Sequence, residues 1–153
     1  MAVLDIVLHP DERLRVKCRP VETVDDDIRR LVDDMVDTMY DAPGVGLAAP
    51  QVGSGLRITV MDCSAPASDP ELHVLINPEI IDRQGSIVWE EGCLSIPGVF
   101  SNVKRSQTVT VRALNRDGDP FEVTGEDLLA VCLQHEIDHL NGVLFLDHLS
   151  RLK

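Results

Sequence analysis

The spacing of apolar and polar positions divides the chain into two helical stretches and a series of short strands. From Thr23 to Tyr40 the apolar residues Ile28, Leu31, Val32, Met35, Val36 and Met39 recur three and four apart. That is the stripe of a helix burying one face. Thr23 is the expected N-cap, and Asp25, Asp26 and Asp27 suit the positive end of the helix dipole. Ala42-Pro43-Gly44 stops the helix, and a loop is expected over 44–53. Strand-like runs follow at Leu56–Met61, Val74–Asn77, Ile80–Asp82, Ser86–Trp89 and Thr108–Leu114. In the last, Val109, Val111 and Ala113 alternate with Thr110 and Arg112, the period of a half-buried strand. Asn115-Arg116-Asp117-Gly118 reads as a hairpin turn into Phe121–Val123. Ser64–Pro70, with its prolines and small residues, reads as an exposed loop.

A second helix is expected over 124–141, capped by Thr124 and closed by Asn141-Gly142. Runs of strands with two separate helices predict an α+β fold with mostly antiparallel sheets. A length of 153 residues, 44% of them hydrophobic, suits one domain over 1–153.

Composition narrows the function classes. No apolar run approaches ~18 residues, so a transmembrane helix is not expected. The first residues lack a basic start and a small-residue cleavage site, so neither a secretory nor a transit signal is read, and a cytoplasmic protein is expected. The formal net charge of −12 argues against a partner such as nucleic acid, which needs a basic face. Arg29-Arg30 and Lys104-Arg105 make no such patch. Cys18, Cys63, Cys93 and Cys132 contain no C-x-x-C pair, which sets aside zinc ribbons and thioredoxin-like redox sites. Reduced thiols are the default.

The chemistry concentrates in Gln134-His135-Glu136-Ile137-Asp138-His139. Residues four apart share one face of a helix, so His135 and His139 can bind one metal ion, and Glu136 can handle protons for a water there. A catalytic site of this kind takes a third protein ligand and keeps one position open. Cys132 is excluded, because it lies roughly 10 Å along the axis from His139 at ~1.5 Å per residue. It reads instead as an apolar wall beside the metal. Cys93, in Glu91-Gly92-Cys93-Leu94-Ser95 just after a strand, is the stronger candidate, and Gly92 allows another backbone to come close. His9, His73 and His148 have no partner at ligand spacing and read as surface or packing residues. Glu91 reads either as a partner of a ligand or of Arg105, or as a solvated strand-end acid. Asp138, off the histidine stripe, reads as an ion-pair partner.

Gly44-Val45-Gly46-Leu47-Ala48-Ala49 fits the dinucleotide pattern G-x-G-x-x-[GA] in letters only. It follows a helix and runs into Pro50, whereas that motif must follow a strand and open a helix. The loop reads as backbone meant to approach a ligand, with Gln51 offering an amide donor.

Together and in this order, Gly44-Val45-Gly46-Leu47-Ala48-Ala49-Pro50-Gln51, Glu91-Gly92-Cys93-Leu94-Ser95 and Gln134-His135-Glu136-Ile137-Asp138-His139 resemble the peptide deformylases of bacteria and organelles. The resemblance covers nearly the whole chain. It implies sheets around a central helix bearing the two histidines, and removal of the formyl group from the formyl-methionine of new polypeptides. It implies Cys93, His135 and His139 as metal ligands, with Fe(II) the usual metal and zinc, nickel or cobalt able to replace it. It implies Glu136 as the proton carrier, and the Gln51 amide and Leu94 backbone N–H as stabilisers of the oxyanion. The backbones of Val45 and Gly46, with Gly92 nearby, would bind the substrate. Val45, Trp89, Leu128, Val131, Cys132 and His135 would line the methionine pocket. Some relatives carry arginine where Phe100 stands. Many extend the last helix beyond Leu149-Ser150-Arg151-Leu152-Lys153, where an association with the ribosome would lie. Two other readings of H-E-x-x-H remain at this stage: a zinc peptidase, and a non-catalytic metal-binding module with no use for Glu136 or Gln51.

Overall fold

The structure is a computed structural model in which residues 2–65 and 68–148 are described. Pro66 and Ala67 of the expected Ser64–Pro70 loop, and the terminal Leu149–Lys153, lie outside the described residues.

Helix α1 spans Asp26–Asp41 and helix α2 Leu128–Leu140. Strands β1 (Gly46–Ala48), β2 (Ile58–Asp62), β3 (Leu72–Gln84), β6 (Thr108–Leu114) and β7 (Pro120–Glu126) form a sheet in the order β1-β2-β3-β6-β7. Strands β4 (Ile87–Cys93) and β5 (Ile96–Arg105) form a separate two-stranded ribbon. Every pairing among these strands is antiparallel. The α+β class expected from the pattern is what the chain adopts.

The period-2 alternation of β2 and β3 sets the two helices on opposite faces of the larger sheet. Ile58, Val60 and Ile76 join Val32, Met35 and Met39 of α1 in one apolar cluster. Met61 and Leu75 point the other way, into a cluster with Ala130, Cys132, Leu133 and Ile137 of α2. A third cluster ties Val7 and Leu14 to Ile96 and Val103 of the ribbon and to Leu144 and Phe145. Residues 130–137 of α2 are all buried, as are His139 and Leu140. A helix buried all round normally carries apolar side chains, and the polar ones on α2 mark the site.

Several boundaries differ from the sequence pattern. Helix α1 begins at Asp26, because the Asp25 carboxylate, not Thr23, accepts from the Ile28 N–H at 3.0 Å. The expected loop 44–53 holds β1 and a 3-10 turn over Ala49–Val52. Three residues are too few to read as a strand, and pairing with β2 makes β1 one. The runs at Val74–Asn77 and Ile80–Asp82 are one strand. Pro78 suggests a break, yet Asn77 takes φ 54 and the ladder to β6 shifts register there, so the irregularity is a bulge and not a turn. Strand β5 was not expected at all. The run carries Pro97 and Gly98 and no clear alternation, and most of its residues are exposed. Its pairing with β4, through a Cys93–Ile96 register that leaves Leu94 and Ser95 as the turn, holds it in place. Helix α2 starts at Leu128 and not Thr124, because Thr124 is committed to the β7 ladder opposite Thr110. The Asn115–Gly118 turn and the Asn141-Gly142 stop are both where the pattern puts them, with Gly118 at φ 86 and Gly142 at φ 75.

Met35 is fully buried between α1 and the sheet. Met35→Ala should therefore lower unfolding free energy by about 2–5 kcal/mol in urea titrations. A loss below about 1 kcal/mol would show that α1 docks without this contact.

Candidate active site

The site is assembled from three segments. Helix α2 supplies His135, Glu136 and His139. The tight β4–β5 turn supplies Cys93, Leu94 and Ser95. The 3-10 turn after β1 supplies Gln51. Cys93 Sγ lies 3.4 Å from His139 Nε2, and His139 Nε2 lies 3.2 Å from His135 Nε2. The ligand atoms of all three residues are within 4.8 Å of one another. Donors about 2.0–2.3 Å from a shared tetrahedral ion sit roughly 3.3–3.6 Å apart, so the set fits one metal ion.

Each donor is aimed by a neighbour. Glu91 Oε1 is 2.9 Å from His135 Nδ1, which leaves Nε2 turned to the cluster, the arrangement in which a carboxylate orients a metal-binding histidine. Arg105 in turn grips Glu91 with two hydrogen bonds of 2.8 and 2.9 Å and donates to Asp138 at 2.6 Å. His148 Nε2 closes the chain at 2.9 Å from Asp138. Glu91 is thus the partner of both a candidate ligand and Arg105, and Asp138 is an ion-pair partner. His148 caps that pair at the surface. Gln51 accepts the Ala48 N–H on Oε1 at 2.9 Å. This points Nε2 towards Cys93 Sγ, 3.6 Å away, and Ser95 Oγ, 3.2 Å away. Glu136 Oε1 and His139 Nδ1 are buried without a hydrogen-bond partner in the protein, a costly state for interior polar atoms.

The electrostatics follow from burial and these contacts. Burial alone would raise the Glu91 carboxyl, but hydrogen bonds from Arg105 and His135 outweigh it and hold the group at about 2. Burial works against a charged His135, yet the neighbouring Glu136, Cys93 and Glu91 raise it to about 10. His139 is driven well below the usual histidine range by burial and by the charge on His135. Burial lifts Glu136 to about 7 against the pull of His135. His139 is therefore held neutral, the form in which an imidazole binds a metal ion.

The cluster is at the floor of a cavity of about 840 Å³. Val45, Gly46, Gln51, Trp89, Gly92, Cys93, Leu94, Leu128, Val131, Cys132, His135 and Glu136 all line it, and His139 lies buried behind them. Two glycines permit close approach. A Cβ on Gly46 would meet Glu136 Oε2 at 2.5 Å, and one on Gly92 would meet the Phe100 ring at 2.6 Å. Pattern reading missed several lining residues, among them Tyr40, Asp62 and Phe100. Tyr40 donates to Asp62 at 2.6 Å. With Ser64 this holds Asp62 at about 2, while burial and Asp62 push Tyr40 to about 12. No sequence signal joins residues 22 apart on different elements. Ser95, fully buried beneath Gln51, was legible only as a neighbour of Cys93.

An α+β fold that brings a cysteine from a strand end to the two histidines of an H-E-x-x-H helix under an open pocket defines the class of metal-assisted hydrolases. The polypeptide deformylase family model matches residues 3–153. A peptide deformylase of Alkalilimnicola ehrlichii is 58% identical over all of this chain and 85% of its own length. The crystal structure of a peptide deformylase from Legionella pneumophila is 56% identical, with a TM-score of 0.93 over 99% of this chain and 88% of that one. That of Ehrlichia chaffeensis peptide deformylase in complex with actinonin is 44% identical, with a TM-score of 0.94 over 99% and 91%. The chain belongs to the polypeptide deformylase family, whose enzymes are metal-dependent and act on newly made polypeptides. Among the described residues no helix is long and apolar enough to cross a membrane.

Two outcomes are expected. Folding holds Glu91 below its unfolded value of about 4.3. Its stabilising contribution is therefore complete above that pH and disappears as pH falls towards about 2. Melting temperatures from pH 7 to pH 2.5 should show Glu91→Gln less stable than wild type at pH 7, with the gap narrowing in acid. A gap that stays constant would remove Glu91 from the acid response. In Gly46→Ala, the added methyl should displace Glu136 and cut formate release about 10²-fold with an unchanged circular dichroism spectrum.

Proposed function

We propose that this protein removes the N-formyl group from the formyl-methionine of newly made polypeptides, releasing formate. The observation that carries the reading is the convergence of Cys93, His135 and His139 beneath a cavity that also holds the Glu136 carboxyl and the Gln51 amide. Cys93, His135 and His139 hold the metal, with Fe(II) the expected ion and zinc, nickel or cobalt able to take its place. The metal, when bound, supplies Lewis-acid activation of a water near neutral pH.

The remaining steps belong to side chains and backbone. Glu136, whose Oε1 is otherwise unpartnered, takes a proton from the attacking water and returns it to the leaving amine nitrogen. As the water oxygen bonds to the formyl carbon, the carbonyl oxygen gains charge. The Gln51 Nε2–H and the Leu94 backbone N–H stabilise it. The C–N bond then breaks, leaving formate and a free amino terminus. Ser95 and the Ala48 N–H fix Gln51 in the orientation this needs.

The methionine side chain occupies the apolar walls made by Val45, Trp89, Leu128, Val131 and Cys132. Among the described residues strand β1 pairs only with β2 and stands at the edge of its sheet. Its outer edge at Val45 and Gly46 can accept the substrate as an added strand, with Gly92 across the cleft. Engagement at the ribosome is part of the same reading, since that is where such chains emerge.

The test is formate release from a formyl-Met-Ala-Ser peptide by protein prepared without oxygen and loaded with Fe(II), Ni(II) or Zn(II). Metal-dependent formate with the peptide otherwise intact is expected. Glu136→Ala should keep its metal and lose almost all turnover. A Glu136→Ala protein with full metal and normal turnover would sink the proton-carrier role.

A further inference from the structure

Asp62, the last residue of β2, gathers several segments around one carboxylate. Oδ1 accepts the Ser64 N–H at 3.0 Å, the Ser64 hydroxyl at 2.5 Å and the Glu71 N–H at 3.3 Å. Oδ2 accepts the Tyr40 hydroxyl at 2.6 Å. The backbone N–H of Asp62 donates to the Val45 carbonyl at 2.8 Å. The last turn of α1, the segment before β1 and the stretch between β2 and β3 are thus all tied to this residue. A carboxylate has about four acceptor positions, and these donors occupy them. Asp62 is buried in the cavity wall, yet no acceptor position is left for a substrate atom. What it gives the cavity is the placement of its neighbours. Tyr40 and Val45 line the cavity and are 46% and 48% exposed. The Tyr40 hydroxyl is committed to Asp62, so the ring is the surface that Tyr40 offers. Large apolar surface left half open beside a cavity is area that a ligand can cover.

We propose that Asp62 is a positioning residue for substrate binding, and that the Tyr40 ring it fixes is a further contact for the formyl-methionyl peptide, forming one apolar wall of the cleft with Val45. Ordering a loose side chain on binding costs affinity. A ring already held by its hydroxyl does not incur that cost. The Asp62 N–H fixes Val45 from the same residue, so the two halves of the wall keep one spacing. Neither Tyr40 nor Asp62 belongs to the Cys93, His135 and His139 set or to the Glu136 and Gln51 pair. The wall therefore meets the bound peptide alike before and during the reaction, and its loss falls on KM and not on kcat.

The experiment uses nickel-loaded protein and the peptide formyl-Met-Ala-Ser. Tyr40→Phe keeps the ring and removes the hydroxyl, and should raise KM about threefold, while Asp62→Ala should raise it about tenfold. In both variants kcat and nickel content should match the wild type. Asp62→Asn, whose amide can still pair with the Tyr40 hydroxyl, should give a KM between those of wild type and Asp62→Ala. Folded variants with a lowered melting temperature and an unchanged KM would overturn the proposal and leave Asp62 a residue of the scaffold. So would a loss of kcat at constant KM, which would place the effect at the metal centre. Where Asp62→Ala does not fold, Tyr40→Phe decides by the same measurements. The contact with formyl-methionine rests on the deformylase reading, which fails separately, as an absence of formate from the wild type. Trp89, the only tryptophan of the chain, lines the same cavity. Its fluorescence reports binding of Met-Ala-Ser in that case. The same order of Kd among the variants is then expected, and equal Kd values would overturn the proposal.

Discussion

Helix α2 carries Gln134, His135, Glu136 and His139 into the interior, and all four are buried. An interior polar group without partners costs several times what one hydrogen bond returns. Much of the surrounding structure answers that constraint. Gln134 is held by the backbone of Ser106 on both ends of its amide, at 2.8 and 3.0 Å. His135 is held by Glu91, and Glu91 by Arg105. What the protein leaves unmatched, chiefly Glu136 Oε1 and the facing nitrogen and sulfur donors, is grouped at one point on the floor of the cavity.

The two-stranded ribbon has its explanation here. Strands β4 and β5 bury little apolar surface along most of their length. They nevertheless bring Glu91, Cys93 and Arg105 to α2, and their turn presents Leu94 and Ser95 beside Gln51. An ion pair as buried as Arg105–Glu91 gives uncertain net stability, because desolvation offsets much of the attraction. Its contact with His135 gives it a second consequence, the direction in which that ring points. The acidity of the chain, −12 overall, is carried largely on solvated faces such as the start of α1. Of the acids turned inward, Glu91 and Asp138 are matched to Arg105 and Asp62 to the hydroxyls of Tyr40 and Ser64, while Glu136 is left facing the cavity.

The candidate site was more legible in the sequence than the fold boundaries were. His135, Glu136 and His139 are declared by a local rule, since helical spacing alone puts the two imidazoles on one face. Cys93 is the stronger third candidate by its place after a strand beside Gly92, with Cys132 set aside on axial distance and the full ligand set implied by the family resemblance, and Gln51 is offered by the glycine-rich loop before it. The boundaries failed where a local preference competed with a pairing partner far along the chain. Thr124 is a good helix cap, but it lies opposite Thr110. Strand β5 has a pattern too irregular to read as a strand, but Ile96 and Ser101–Arg105 pair with β4.

By itself the sequence determined the α+β class, the two helices, the turn at Asn115–Gly118 and the two histidines of the candidate metal set, because each is encoded in spacings of a few residues. Only the tertiary structure decided that β1 and β5 are strands, that Glu91 serves His135 and Arg105 at once, and that Tyr40, Asp62 and Phe100 share the cavity with residues on other segments. Those facts depend on contacts between residues tens of positions apart, which form when burial and backbone hydrogen bonding are satisfied for the whole chain together.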